Sequence, residues 1–152
     1  MKYTSSTTHT GEGRCETRFA SSQACIATDT AAAHGGKGEF PTPPALLAAS
    51  VASCMLSMMA YHGRQHKFDT KGIRIDAAAE EVNGKLTALH CCIHLPEGIC
   101  ADTQKKLEEA VAHCPLAGAL APGIAKHISW HHCHKGEASS CSDKPAACER
   151  KS

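Results

Sequence analysis

Aromatic side chains are scarce in this chain, with three Phe, two Tyr and one Trp among 152 residues. A core must therefore be assembled from Ala, Leu, Ile, Val and Met. Charge of one sign is lacking too: 16 Lys and Arg stand against 15 Asp and Glu, and only 20% of residues are charged. With no basic stripe there is no counter-surface for a nucleic-acid backbone or an anionic membrane, so no nucleic acid and no membrane are expected as partners. The opening residues, MKYTSSTTHTGEG, lack the apolar run of a secretory signal and the Arg-rich pattern of a transit peptide, and a cytoplasmic protein is expected. No internal repeat and no CxxC pair occur, which removes the signatures of a zinc ribbon and of a thioredoxin-type centre.

Sulfur and imidazole are abundant instead, as 10 Cys and 11 His. In a reducing compartment such cysteines are not a disulfide framework; they are buried thiols, metal ligands or redox groups. The length suits one domain with one core, placed at residues 1–134, while residues 135–152 lack apolar periodicity and read as a mobile, Cys-containing tail.

Arg14–Ala20 and Gln23–Thr30 read as a hairpin about Ser21 and Ser22. The Gly- and Pro-rich loop AHGGKGEFPTPP follows, with Thr42 as N-cap and Pro43 as the first residue of a helix. Ala45–Tyr61 carries no charge, and Leu47, Val51, Cys54, Met58 and Tyr61 recur at helical spacing, with Gly63 expected to end the helix. Because that helix is apolar on nearly all sides, it needs cover that one small sheet does not provide, and an intimate homodimer is expected.

Gly72–Glu80 and Lys85–Leu95 alternate about Asn83-Gly84, the pattern of an antiparallel hairpin. Leu89, Cys91, Ile93 and Leu95 then share one face and His90, Cys92 and His94 the other. Asp102 or Thr103 is the expected cap of a helix reaching about His113, with Leu107, Val111 and Cys114 on one stripe and Pro115 near its end. Ile124–Cys133 reads as a last strand.

A Pro-rich loop leading into an Ala-rich helix with a central Cys, then a hairpin, then a helix ending in Cys-Pro, resembles the OsmC/Ohr family of thiol-dependent peroxidases. The carriers are TPPALLAASVASC (Thr42–Cys54) and AHCPLAGAL (Ala112–Leu120), and the resemblance runs from about Gly11 to Cys133. It implies an α+β, OsmC-like fold with antiparallel sheets around a central Cys-bearing helix, as an intertwined homodimer. It implies that Cys54 is the peroxidatic and Cys114 the resolving cysteine, acting on organic hydroperoxides and regenerated by a dithiol such as a lipoyl group, with no metal or organic cofactor. The family's Arg from the N-terminal strands maps to Arg14, with Arg18 as the alternative. The Glu with which the family holds that Arg has no counterpart at Pro44 or Ala45; the nearest acid is Glu39, five residues earlier.

Two further groupings support a rival from another class, a non-catalytic OsmC-like domain that binds a metal or small ligand. Same-face neighbours on a strand stand about 6 to 7 Å apart, so His90, Cys92 and His94 offer at most two ligands to one ion, plus a neighbour. The tract His131, His132, Cys133 and His134, followed by Cys141 and Cys148, suits soft and borderline ions by ligand type but matches no standard zinc module.

Overall fold

A computed structural model describes residues 4–133, so the tail expected at 135–152 lies outside the described residues. The chain divides into two compact units, residues 1–46 and 47–152.

The first unit holds a three-stranded antiparallel sheet of β1 (Ser5–Gly11), β2 (Arg14–Phe19) and β3 (Cys25–Asp29), in that order. The β2–β3 hairpin is the one expected about Ser21 and Ser22, and its register sets Arg14 opposite Asp29. β1 was not expected, because SSTTHTG is polar on both faces and has no alternation to signal a strand. Among the described residues of this unit the buried ones are Thr28 and Asp29, and none of them is apolar.

The second unit carries the apolar core. Helix α1 (Pro43–His66) begins in the first unit, where the Thr42 hydroxyl accepts the Ala45 N–H at 3.5 Å, as expected of an N-cap. Gly63 does not end it; the helix runs three residues further. The reason for glycine there is space, since a Cβ at Gly63 would stand 2.8 Å from the Phe68 carbonyl oxygen and 2.8 Å from Thr70 Cγ2. The buried face is also rotated from the expected stripe, to Ala48, Val51, Ala52, Met55, Met59 and Gly63. Small residues at 48, 52 and 63 let the helix backbone come close to its neighbours, which leaves Leu47, Cys54 and Met58 half-buried at the rim and Tyr61 exposed. By length and composition alone α1 is apolar enough to cross a membrane, yet this face belongs to the core.

β4 (Arg74–Val82) and β5 (Lys85–Leu95) form the expected hairpin, with Asn83 at φ 51° and Gly84 at φ 71° in the turn. Positive φ at both central residues is the type I′ geometry whose twist matches the strands. Leu89, Cys91, Ile93 and Leu95 are all buried, as their alternation requires. Helix α2 (Ala101–Ala112) starts earlier than expected, with Cys100 rather than Asp102 or Thr103 as N-cap: Cys100 is extended and its Sγ lies 3.3 Å from Thr103 Oγ1. Leu107, Ala110 and Val111 form its buried stripe. A short helix, α3 (Pro115–Ala119), follows, and then β6 (Ala125–His132).

The α+β architecture is the expected one, with one pairing that differs. β6 runs parallel to β5, so the second sheet, ordered β4-β5-β6, is mixed rather than antiparallel. A parallel neighbour needs a crossover, and here α2 and α3 supply it.

Candidate thiol site

Cys114 occupies a corner that two helices make. His113 closes α2, and Pro115 opens α3 with the fixed φ that suits a first helical position, so Cys114 becomes the N-cap between them. Its N–H donates to the Val111 carbonyl at 3.0 Å and its own carbonyl accepts from Gly118 at 3.0 Å. The side chain is buried, 3% exposed. Half-buried Cys54 comes from the middle of α1 and lies near enough to Cys114 to influence its thiol. Burial pushes the Cys114 thiol up, the neighbouring Cys54 adds to this, and the N–H groups of Ala117 and Leu116 at the start of α3 offset part of it. Cys114 is thus kept as a neutral thiol beside Cys54. Cys91, buried on the inner face of β5, is also pushed up, by burial first and then by the charges of Cys92 and Cys114.

Arg14 is fixed within the first unit. Its Nε and Nη2 donate to Asp29 Oδ1 and Oδ2 at 2.8 and 3.0 Å, Nη2 also reaches Glu39 Oε2, and the Phe40 ring lies 4.4 Å from the guanidinium carbon. Asp29 is 1% exposed and takes two backbone N–H groups as well, from Glu39 at 3.0 Å and Phe40 at 3.2 Å. Arg14 holds the Asp29 carboxyl down at about 2 against the opposing effect of burial, helped by those N–H groups. In return Asp29, and then Glu39, raise the Arg14 guanidinium above its ordinary range. Arg18 has no such surroundings; its side chain is 73% exposed, with one contact to Glu16 at 3.6 Å.

Sequence reasoning missed Asp29, although the signal was present: a hairpin centred on Ser21 and Ser22 necessarily sets position 14 against position 29. The nearest acid it did name, Glu39, is a partner of Arg14.

The structure separates the other expected ligands. His90 Nε2 is 2.8 Å from Glu80 Oε2, and His90 stacks on His127 with ring centroids 4.8 Å apart. His94 Nε2 lies 2.9 Å from Asp76 Oδ2, and His94 stacks on His131 at 5.4 Å. The imidazoles therefore pair across β5 and β6 rather than along β5, which the parallel register explains. His132 bonds Gln104 Oε1 at 2.8 Å, while the Cys133 N–H donates to the Leu95 carbonyl at 3.0 Å. Among the described residues no three of His, Cys, Asp or Glu are placed to hold a metal ion, and His134, Cys141 and Cys148 lie outside them.

A buried Cys-Pro corner thiol near the half-buried thiol of a long Ala-rich helix, within an α+β chain, is the arrangement expected of an OsmC-type protein. The family described as OsmC-like protein matches residues 36–128, and the chain belongs to that family. Its fold is similar to that of a candidate osmotic-stress-induced and detoxification-response protein of Psychrobacter arcticus (28% identity, TM-score 0.80, covering 86% of this chain and 96% of that one). It is similar also to an OsmC-like protein of Mycoplasma pneumoniae (12%, 0.76, 88% and 99%). A third similar fold is that of an organic hydroperoxide resistance protein of Legionella pneumophila (18%, 0.65, 86% and 97%). Among curated proteins none matches.

Proposed function

We propose that this protein is a cytoplasmic, thiol-dependent peroxidase that reduces organic hydroperoxides in defence against oxidative stress, with Cys54 and Cys114 as its redox pair. Membership of the OsmC-like family and the detoxification-response and hydroperoxide-resistance descriptions of similar structures support this reading. The observation that carries it is the nearness of the Cys54 thiol of α1 to the buried Cys114 thiol of the α2–α3 corner. Structural cysteines need only apolar neighbours, whereas two thiols brought together from separate helices have a shared chemistry available to them.

The Cys54 thiolate attacks the O–O bond, becoming a sulfenic acid, and the alkoxide leaves as the alcohol after taking a proton. The Cys114 thiol then condenses with the sulfenic acid, forming a disulfide and releasing water. An external dithiol reduces that disulfide by two exchanges, restoring both thiols and becoming oxidised itself. Cys114 suits the second step because the fold holds it beside its partner, which gives it a high effective concentration over thiols in solution. Arg14 takes the part of the thiolate's cation, since a thiol of ordinary pKa about 8.5 needs positive charge nearby to ionise at neutral pH. A homodimer follows from the apolar flank of α1 outside its buried face and from a first-unit sheet that buries no apolar side chain. No observation among the described residues favours the metal-binding rival.

The test is hydroperoxide consumption by the reduced protein with a lipoyl-type dithiol. Turnover that Cys54→Ser abolishes is expected, and Cys114→Ser should leave a sulfenic acid open to trapping. Absence of consumption by the wild type sinks the peroxidase reading.

A further inference from the structure

Of the cysteines that the peroxidase mechanism does not use, Cys91 is enclosed in the same core as the pair. It is 3% exposed, as is Cys114, and the two belong to one cluster of buried side chains against which Cys54 packs. All three thiols lie in the second unit, on separate elements: α1, the middle strand of the second sheet and the α2–α3 corner. Ladders hold β5 on both sides, with Cys91 opposite Ala77 of β4 and Ile128 of β6, so Cys91 is the fixed member of the three. Cys114 is the shared neighbour. It lies near Cys54, and it is the member of the pair whose charge bears on Cys91. Filling the core at position 91 needs only a small apolar group, whereas a thiol beside a second thiol adds an oxidisable pair.

We infer that Cys91 is a third redox cysteine, which takes the disulfide from Cys54 by exchange at the Cys114 sulfur and so returns Cys54 to its thiol form before an external reductant arrives. The inference rests on the peroxidase reading and deepens it. The Cys91 thiolate attacks Cys114 Sγ, a Cys91–Cys114 bond forms as the Cys54–Cys114 bond breaks, and Cys54 leaves as a thiolate. The proton lost by Cys91 is made good at Cys54, so the exchange is an isomerisation: no oxidant or reductant enters, and the two-electron oxidation moves inward by one thiol. Burial sets both its direction and its pace. A disulfide carries no charge and loses nothing in the core, while a thiolate is less costly where burial is less complete, so the exchanged form puts the bond between the two enclosed sulfurs and the free thiol at half-buried Cys54. Burial also holds Cys91 as a neutral thiol, and only its thiolate attacks, so exchange follows the first disulfide slowly instead of competing with it. With Cys54 free again, the protein meets a second hydroperoxide while dithiol is short.

Peptide mapping of the full-length wild type, with no dithiol present, reads the exchange directly. One equivalent of an alkyl hydroperoxide is added, and free thiols are blocked with N-ethylmaleimide at delays from about a second to about an hour, the range in which disulfides reshuffle. The Cys54–Cys114 peptide should appear first and give way to Cys91–Cys114, with Cys54 blocked by the maleimide. A second equivalent should then be consumed in a slower phase, leaving Cys54 as a sulfenic acid that dimedone traps, and Cys91→Ala should lose that phase. If Cys91→Ala does not fold, mapping of the wild type decides alone. A Cys54–Cys114 bond that persists through the longest delay, or one that passes to a cysteine other than Cys91, overturns the inference while the peroxidase reading stands. Diamide, which joins thiols without peroxide chemistry, separates the two failures. Should the hydroperoxide leave Cys54 reduced, the peroxidase reading falls, and the diamide-oxidised protein still decides the relay: passage of the bond to Cys91–Cys114 supports it, and its absence overturns it.

Discussion

Oxidation by one equivalent of an alkyl hydroperoxide should stabilise this protein against unfolding, and the amount can be worked out from where the two thiols lie. A bond between Cys54 and Cys114 closes a loop of about 60 residues. The loop-closure entropy it removes from the unfolded chain is worth ~4 kcal/mol at 25 °C. Native strain subtracts from that figure, but the two thiols already lie near enough to influence each other. For a chain of this length, that gain corresponds to a rise in Tm of about 10 °C. The assay is denaturant unfolding of reduced and oxidised protein at one protomer concentration, because dimer formation would otherwise contribute to the difference. A Cys54→Ser/Cys114→Ser protein given the same oxidant controls for the other eight cysteines. Peptide mapping at substoichiometric oxidant identifies the bond, which should appear before any other cysteine pair is oxidised. Oxidation of Cys133, Cys141 or Cys148 with Cys54 still reduced would refute the reasoning, as would an oxidised form no more stable than the reduced one.

Arg14→Ala should slow hydroperoxide reduction far more than Arg18→Ala; equal small effects in steady-state rates would show that neither cation serves the thiolate. Cys114 and Cys91 are both raised in the folded state, so the stability they contribute is present below the unfolded thiol value of about 8.5 and is lost as pH rises past it. Urea unfolding of the reduced protein at pH 7 and pH 10 should show that loss, reduced in Cys114→Ser; a flat profile contradicts it. Gly63→Ala drives a methyl into the Phe68 carbonyl and should cost about 1–3 kcal/mol by overpacking, read as a fall in Tm, although Ala is the better helix former. Removing residues 135–152, which show no apolar periodicity, should leave the circular dichroism spectrum and the assembly state read by sedimentation unchanged.

Much of the fold was legible wherever a period met a punctuation mark. Asn83-Gly84 between two alternating runs specified β4, β5 and both faces of the hairpin, because side-chain alternation and a type I′ turn constrain each other. Thr42-Pro43 marked the start of α1 for an equally local reason. Its end and its buried face were not legible, since a glycine in an apolar helix reads the same whether it stops the helix or admits a neighbour, and only tertiary contact distinguishes the two. β1 had no signal, being polar on both faces, and alternation in β6 carries no information about strand direction. At the candidate site, Cys54 and Cys114 were singled out through the motifs around them rather than from their own spacing. Asp29 was missed because an acid at a strand end resembles any surface acid until the hairpin register is followed through to its partner.

The parallel pairing of β6 bears on the order in which the molecule assembles. β1–β2–β3 and β4–β5 close through short turns, so their ladders are local and cheap in chain entropy. β6 has no such route, for it reaches β5 only once the crossover of α2 and α3 has been laid across the core. Cys114 lies inside that crossover, so its meeting with Cys54 belongs to the slow, long-range part of folding. A chain that has formed its hairpins but not its last ladder carries both thiols unpaired. Pulse alkylation during refolding should therefore see Cys114 become protected together with the β6 amides, making the thiol pair a built-in timer for the completed sheet.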